Sequence, residues 1–262
     1  MVIMAPCAKT VSSIPVLSLS PSTRSCKFPF QLPSAVFSRR TTTPTGSFSS
    51  IGLGLSVDRS HLVSAASASN FVPNSAELLD DVRIFTAAGE PVLFKDLWDQ
   101  NEGIAVVALL RHFGCICCWE LASALKESKV KFDSAGVKLI AIGVGTPDKA
   151  RILAERLPFP MECLYADPDR KAYDILGLYY GLGRTFFNPA SAKVFSRIDS
   201  LRKAGQNYTI QATPDDRSSV LQQGGTFIFK GKELLYARKD EGTGDHAPLE
   251  DVFNVCCKAP VA

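Results

Sequence analysis

The chain has 262 residues, 46% hydrophobic and 21% charged, a balance that fits a globular protein with one well-buried core and excludes a fibrous or wholly disordered one. Its formal charge of +3 does not mark a nucleic-acid surface, because residues 1–76 hold six basic side chains and one acid; the remainder carries 23 basic and 25 acidic residues. No apolar run reaches the roughly 18 residues of a membrane span, so no membrane segment is expected and the mature protein reads as soluble.

The N-terminus is rich in Ser and Thr (SSIPVLSLSPSTRS, RRTTTPTGSFSS), broken by Pro and almost free of acids, the composition of an organellar import segment. A secretory signal needs an uninterrupted apolar stretch near its start, and a mitochondrial presequence would be Arg-rich there, whereas the first 23 residues contain no Arg. The expectation is a chloroplast transit peptide over residues 1–65, cut near VSAAS (63–67), a linker over 66–76, and a stromal destination. A disordered tail retained in the mature protein is the alternative.

From residue 77 strand and helix patterns alternate. VRIF (82–85) and the AAGEPV that follows read as a short strand and a Gly turn, and IAVVALL (104–110) as a strand buried on both faces. CWELASALKESKVKFDSAG follows as one helix, with Leu121, Leu125 and Phe132 at helical spacing and Gly136 as its stop. VKLIAIGVG (137–145) is a second buried strand. Thr146 and Pro147 then supply an N-cap and first-turn proline for the next helix, and Asp167 and Pro168 repeat the device before DRKAYDILG. Late in the chain GGTFIF and ELLYARKD, joined by KGK, form a hairpin, and APLEDVFNVCC is a closing helix. The order is that of an α/β thioredoxin-like fold, a central mixed sheet flanked by helices. The segment between Leu178 and Gly224 has no place in that order, and reads as an insertion before the hairpin, packed beside the active-site face, with a short helix near its middle. GVGTPD (143–148) and GLGR (181–184) lack the context of a dinucleotide fingerprint, since Asp148 stands where a third glycine is needed; both read as turns, and no cofactor site is expected.

FGCICCWELA (113–122) carries the chemistry. Cys115 and Cys118 are spaced C-x-x-C where a buried strand hands over to a helix, and there free N–H groups and the helix dipole favour a thiolate. One helical turn brings the second sulfur within disulfide reach, so the pair reads as a redox couple, with Cys117 and His112 as modulators. Zinc would need four ligands, and the adjacent Cys256 and Cys257 do not converge on one ion, so no metal is expected. Small buried cysteines packed under the helix remain the structural alternative.

The blocks RHFGCICCWELA, LYADPDRKAYDILGL and QQGGTFIFKGKELLYARKDEGTGDHAP, spanning about Val82 to Cys257, resemble the peroxiredoxin-like (AhpC/TSA) branch of the thioredoxin superfamily, and in particular its chloroplast thioredoxin-like proteins with an AhpC/TSA antioxidant domain. The wider group includes prostamide/prostaglandin F synthase. Cys115 matches the attacking cysteine of thioredoxins and Cys118 the peroxidatic cysteine of peroxiredoxins. Two positions depart from the peroxiredoxin pattern: Cys115 stands where a peroxide-binding threonine is usual, and Gly224 where an arginine precedes the late strand. Both changes remove groups that hold a peroxide, so the resemblance implies a thiol–disulfide oxidoreductase of antioxidant or redox-regulatory role more than a fast peroxidase, with a thioredoxin or glutathione system as electron donor. The rival from another class is a non-catalytic thioredoxin-fold binding or assembly factor; a thiol-dependent endoperoxide reductase is the second alternative within the family.

Fusing residues 1–76 to a fluorescent reporter is expected to send it into chloroplasts, with the fusion cleaved near Ala65. Cytosolic or secreted fluorescence would contradict the import reading.

Overall fold

The computed structural model describes residues 75–257; the expected transit peptide, the linker up to residue 74, and Cys7 and Cys26 lie outside the described residues. In chain order the elements are α1 (Ser75–Leu79), β1 (Arg83–Thr86), β2 (Pro91–Leu93), β3 (Ile104–His112), α2 (Ile116–Glu127), α3 (Lys129–Ser134), β4 (Val137–Val144), α4 (Pro147–Arg156), β5 (Leu164–Ala166), α5 (Lys171–Ile175), α6 (Leu182–Phe186), α7 (Ile198–Gly205), β6 (Gly225–Lys230), β7 (Glu233–Lys239) and α8 (Leu249–Cys256). The seven strands form one mixed sheet in the order β2-β1-β5-β4-β3-β6-β7. β3 lies parallel to β4 on one side and antiparallel to β6 on the other, and all nine of its residues are buried.

A central strand covered on both faces must be apolar along its whole length, which is what IAVVALL supplies. Its side chains alternate between two cores. Val106, Ala108 and Leu110 join a cluster with Leu121 and Leu125 of α2, Phe132 of α3, Leu153 of α4 and Val252 of α8. Ala105, Val107 and Leu109 join the opposite one, with Leu79 of α1, Phe94 and Tyr173 of α5. The thioredoxin-like α/β arrangement expected from the sequence is therefore present.

Several local expectations are corrected. The stretch from Cys118 to Gly136 is two helices, broken at Ser128, and the first begins at Ile116 with Cys115 as its N-cap. The Gly turn after β1 leads into a second strand, β2, paired antiparallel with it. β5 is only three residues long, too short to register as a periodic pattern. Asp167 is not the N-cap of α5; that place belongs to Arg170, in the left-handed region at φ 60°. The Asp167 carboxylate nevertheless caps the helix from a distance, accepting from the backbone N–H of Ala172 at 2.9 Å and Lys171 at 3.2 Å. The insertion holds more structure than one short helix: α6, a 3-10 stretch over Pro189–Arg197, α7 and two further 3-10 turns at Ile210–Ala212 and Arg217–Leu221.

Tyr173 shows how the site-bearing end of the sheet is fixed. Its fully buried hydroxyl lies within hydrogen-bond distance of the carbonyl oxygens of Leu110 at the end of β3 and Ile142 in β4. Removing the hydroxyl leaves buried acceptors short of a donor. Tyr173→Phe is expected to keep the fold and lower unfolding free energy by about 1–3 kcal/mol in urea titrations. An unchanged midpoint would show that these bonds contribute nothing net.

Candidate active site

β3 delivers the site. Its last residues, Arg111 and His112, lead through Phe113 and Gly114 into Cys115, the N-cap of α2. The turn is held by the Cys115 N–H donating to the His112 carbonyl at 3.1 Å and by the Trp119 indole N–H donating to the Phe113 carbonyl. The Phe113 ring packs on Gly143 of β4, where a Cβ would stand 2.5 Å from the ring, so that glycine serves close packing and not phosphate binding.

All three cysteines of the motif are free thiols and buried, Cys115 at 6%, Cys117 at 3% and Cys118 at 0% exposure. Arg111, which the sequence reading passed over, holds two of them. Its backbone N–H donates to Cys118 Sγ at 3.3 Å, and its guanidinium donates through Nη1 to Cys115 Sγ at 3.4 Å. The other guanidinium donors are spent on the insertion's last turn, Nε on the Gln222 carbonyl at 3.0 Å and Nη2 on that of Val220 at 2.7 Å.

The three sulfurs titrate as one group with unequal shares. Hydrogen bonding to the Cys117 and Cys118 thiols holds the Cys115 thiol well below the ordinary cysteine range; burial opposes this, and the positive charge of Arg111 assists it. Cys117 is pushed up by its hydrogen bond to Cys115 and by burial, and Cys118 by burial first and then by its hydrogen bond to Cys115. Of the three sulfurs, Cys115 is therefore the one whose charged form the surroundings favour, and Cys117 and Cys118 the two they keep protonated. His112 is not the source of the positive field. Burial lowers its pKa to about 4, so its ring is neutral, and its Nδ1 has no hydrogen-bond partner.

A second buried unit steadies the first turn of α2. His246 lies with Nδ1 at 2.9 Å from Asp240 Oδ2 and Nε2 at 3.1 Å from the Cys117 carbonyl oxygen. An imidazole with an acceptor at each nitrogen fills both bonds only when doubly protonated. Burial works against that charge, but Asp240 outweighs it and the His246 pKa is raised. Both residues lie in KDEGTGDHAP, where nothing local to the sequence marks them as partners. On the outer face of α2, Glu120 accepts from the Ser200 hydroxyl and pairs with Arg197 at 3.6 Å, tying the insertion to the helix that carries the cysteines. A cleft of about 530 Å³ opens there between α2 and residues 244–249, lined by Glu120, Leu121, Lys193, Arg197, Arg238 and His246.

The insertion also covers the other side of the motif. The Tyr208 hydroxyl donates to the Gly114 carbonyl at 2.8 Å, and a Cβ on Gly114 would stand 2.0 Å from Thr213 Oγ1. Gly224, where an arginine was expected in the peroxiredoxin pattern, has no room for any side chain: a Cβ there would lie 2.3 Å from the Leu109 carbonyl oxygen. The guanidinium missing from that strand is supplied from β3 by Arg111. Away from the site, Cys256 is buried in α8 with its sulfur 3.7 Å from that of exposed Cys257, and Cys163 is a buried core residue before β5. Among the described residues no group of three or more His, Cys, Asp or Glu side chains is arranged to hold a metal ion.

Comparison with known proteins gives a consistent relationship. Residues 124–242 match the family model described as AhpC/TSA antioxidant enzyme. The chain is 34% identical over 202 residues to thioredoxin-like protein AAED1, chloroplastic, of Arabidopsis thaliana, covering 76% of this chain and 79% of that protein. It is 30% identical over 170 residues to a Bos taurus prostamide/prostaglandin F synthase, covering 63% and 79%. Among solved structures it is similar to peroxidoxin BcpB from Mycobacterium tuberculosis, at 14% identity and a TM-score of 0.48 over 68% of this chain and 93% of that one.

Because Arg111 touches Cys115 directly, Arg111→Met is expected to raise the pH midpoint of Cys115 alkylation by about one unit or more, the loss of an opposite charge favouring the protonated thiol. The rate of iodoacetamide labelling against pH, read by peptide mass, checks it. An unmoved midpoint would mean that the neighbouring thiols alone set the thiolate.

Proposed function

The chain belongs to the AhpC/TSA antioxidant enzyme family, among its thioredoxin-like and peroxiredoxin-like members, and from that premise we propose that it is a thiol–disulfide oxidoreductase in which Cys115 and Cys118 form the redox couple. The observation that supports this most directly is the contact of Cys115 Sγ with the buried Arg111 guanidinium at the start of a helix, with Cys118 one turn on and held by the same residue.

In the proposed cycle the Cys115 thiolate attacks one sulfur of an acceptor disulfide, forming a mixed disulfide and expelling the first acceptor thiolate. Cys118 gives up its proton to that leaving group and attacks Cys115 Sγ, forming the Cys115–Cys118 disulfide and expelling the second acceptor thiolate, which takes its proton from water. Two electrons have passed to the acceptor. A thioredoxin dithiol or two glutathione thiols reverse the exchange and restore the starting state. In this scheme the raised Cys118 pKa keeps the second thiol protonated until the Cys115 charge has been consumed. With a hydroperoxide or endoperoxide the first step is attack on an O–O bond instead; the Bos taurus relative's name makes endoperoxides a reasonable acceptor class to include.

In the same proposal residues 1–65 are a chloroplast transit peptide, 66–76 a linker and 77–262 the thioredoxin-like domain, working in the stroma. The acid-poor N-terminal composition supports this, as does the chloroplastic name of the Arabidopsis relative. A second reading, a non-catalytic binding or assembly factor with structural cysteines, draws on the burial of all three motif cysteines.

Reactivity separates the two. Peptide mapping after mild oxidation is expected to find Cys115 joined to Cys118. Cys115→Ser and Cys118→Ser are each expected to lower thioredoxin- or glutathione-linked turnover by about 100-fold or more, as loss of a nucleophile does. Cys117→Ser is expected to retain the couple. The double Cys256→Ser, Cys257→Ser variant should also turn over, because Cys256 is buried and a local partner closes a far shorter loop than one ~140 residues away. If no variant changes reactivity and the native thiols resist oxidation, the binding-factor reading takes its place.

A further inference from the structure

The described part of the chain exposes ten large apolar side chains, and seven of them fall between Tyr180 and Ile210, inside the insertion. Leu182, Phe186, Phe187, Phe195 and Ile198 are 51–82% exposed, so more than half of each of these apolar residues faces solvent. Residues 182–203 also reverse the charge of the domain that carries them. They hold Arg184, Lys193, Arg197, Arg202 and Lys203 against one acid, Asp199, whereas residues 77–262 as a whole have two more acids than bases.

The local geometry sorts these side chains into an inner and an outer stripe. Where the 3-10 stretch runs into α7, side chains three apart lie over one another, which aligns Phe195 with Ile198; Arg202 is one α-helical turn further along. On the inner side Val194, Leu201 and Ala204 pack against the core. Lys193 and Arg197 are engaged inward, with Asp245 at 2.8 Å and with Glu120. Arg202 and Lys203 make only exposed pairs, at 3.6 Å with Asp199 and 3.2 Å with Glu127, of the weak kind that a headgroup phosphate can displace.

We propose that this segment docks the folded domain on the surface of an anionic lipid bilayer. The five exposed apolar side chains enter the boundary between headgroups and acyl chains, and Arg184, Arg202 and Lys203 lie against the anionic headgroups. Charge and shape both select this occupant. A two-fold contact with a second copy would set the basic patch against itself. Protein interfaces anchor large side chains in matching pockets, whereas separate apolar tips interleaved with long cations fit a fluid surface that needs no matching shape. Such a contact requires no spanning helix, and among the described residues none is long and apolar enough to cross a membrane. Because α7 packs on α2 and Ser200 holds Glu120, docking there would set the cysteine-bearing helix beside the lipid surface, whatever its acceptor.

The test uses the full chain in co-sedimentation with phosphatidylglycerol–phosphatidylcholine vesicles and with pure phosphatidylcholine vesicles. Binding is expected only to the anionic set. The triple variant Phe186→Ser, Phe187→Ser, Phe195→Ser is expected to bind at least about tenfold more weakly, with an unchanged thermal melt because all three side chains are exposed. A single Phe195→Trp variant should show a blue-shifted emission component on adding anionic vesicles. The basic N-terminal residues are the same in every variant, so undiminished binding by the triple variant would assign the affinity to them and overturn the proposal. It is equally overturned if the parent chain ignores anionic vesicles, or if it self-associates or captures an acidic protein through these residues without binding lipid.

Discussion

A buried guanidinium has to satisfy donors pointing in several directions at once, and Arg111 does so by reaching three parts of the fold. It lies at the end of the central strand, 4% exposed, and its donors go to a cysteine sulfur and to two carbonyls of the insertion's last turn, while its backbone N–H meets the second cysteine. A charge placed there is tolerable only with such partners. The sulfurs, the strand end and the insertion are therefore fixed relative to one another by a single residue.

The same economy explains the departures from the peroxiredoxin pattern. The arginine expected before the late strand has no space, because Gly224 lies against the backbone of Leu109. The cation that touches the cysteines comes instead from the end of β3, where the Arg111 guanidinium meets Cys115 Sγ. A cation in contact with Cys115 Sγ favours its thiolate form.

The insertion is the second organising feature. It grips α2 through Glu120, covers Gly114 through Tyr208 and Thr213, and meets the loop before α8 through Arg197 and Lys193. Its inner side combines apolar packing by Val194, Leu201 and Ala204 with the ion pairs of Lys193 and Arg197, and its outer side carries exposed apolar side chains. All three motif sulfurs are almost wholly buried, so exchange with a macromolecular partner would require the structure around them to open.

Much of this was legible in the chain. The continuous apolar run at 104–110 marked a strand buried on both faces, and the C-x-x-C after it marked the strand-to-helix junction that the structure shows there, because period and spacing are local properties. Residues 137–145 and the late hairpin were visible for the same reason. The break of the long helix at Ser128 and the three-residue β5 were not, since propensity cannot mark so small a departure from a pattern. Nor could the sequence give the partners of its polar residues. Arg111 looked like the charged end of a strand, Gly224 like a lost arginine, and His246 like part of a loop, until β3, the insertion and residues 240–246 were brought together. Burial decides whether a charge is solvated or answered by another group, and burial is set by segments more than a hundred residues apart, such as Arg111 and Gln222 or Cys117 and His246. The sequence by itself determined the fold class and brought the three cysteines to the head of one helix; only the tertiary structure decided which sulfur the buried guanidinium meets, because Arg111 is held in place by Val220 and Gln222 from a distant part of the chain.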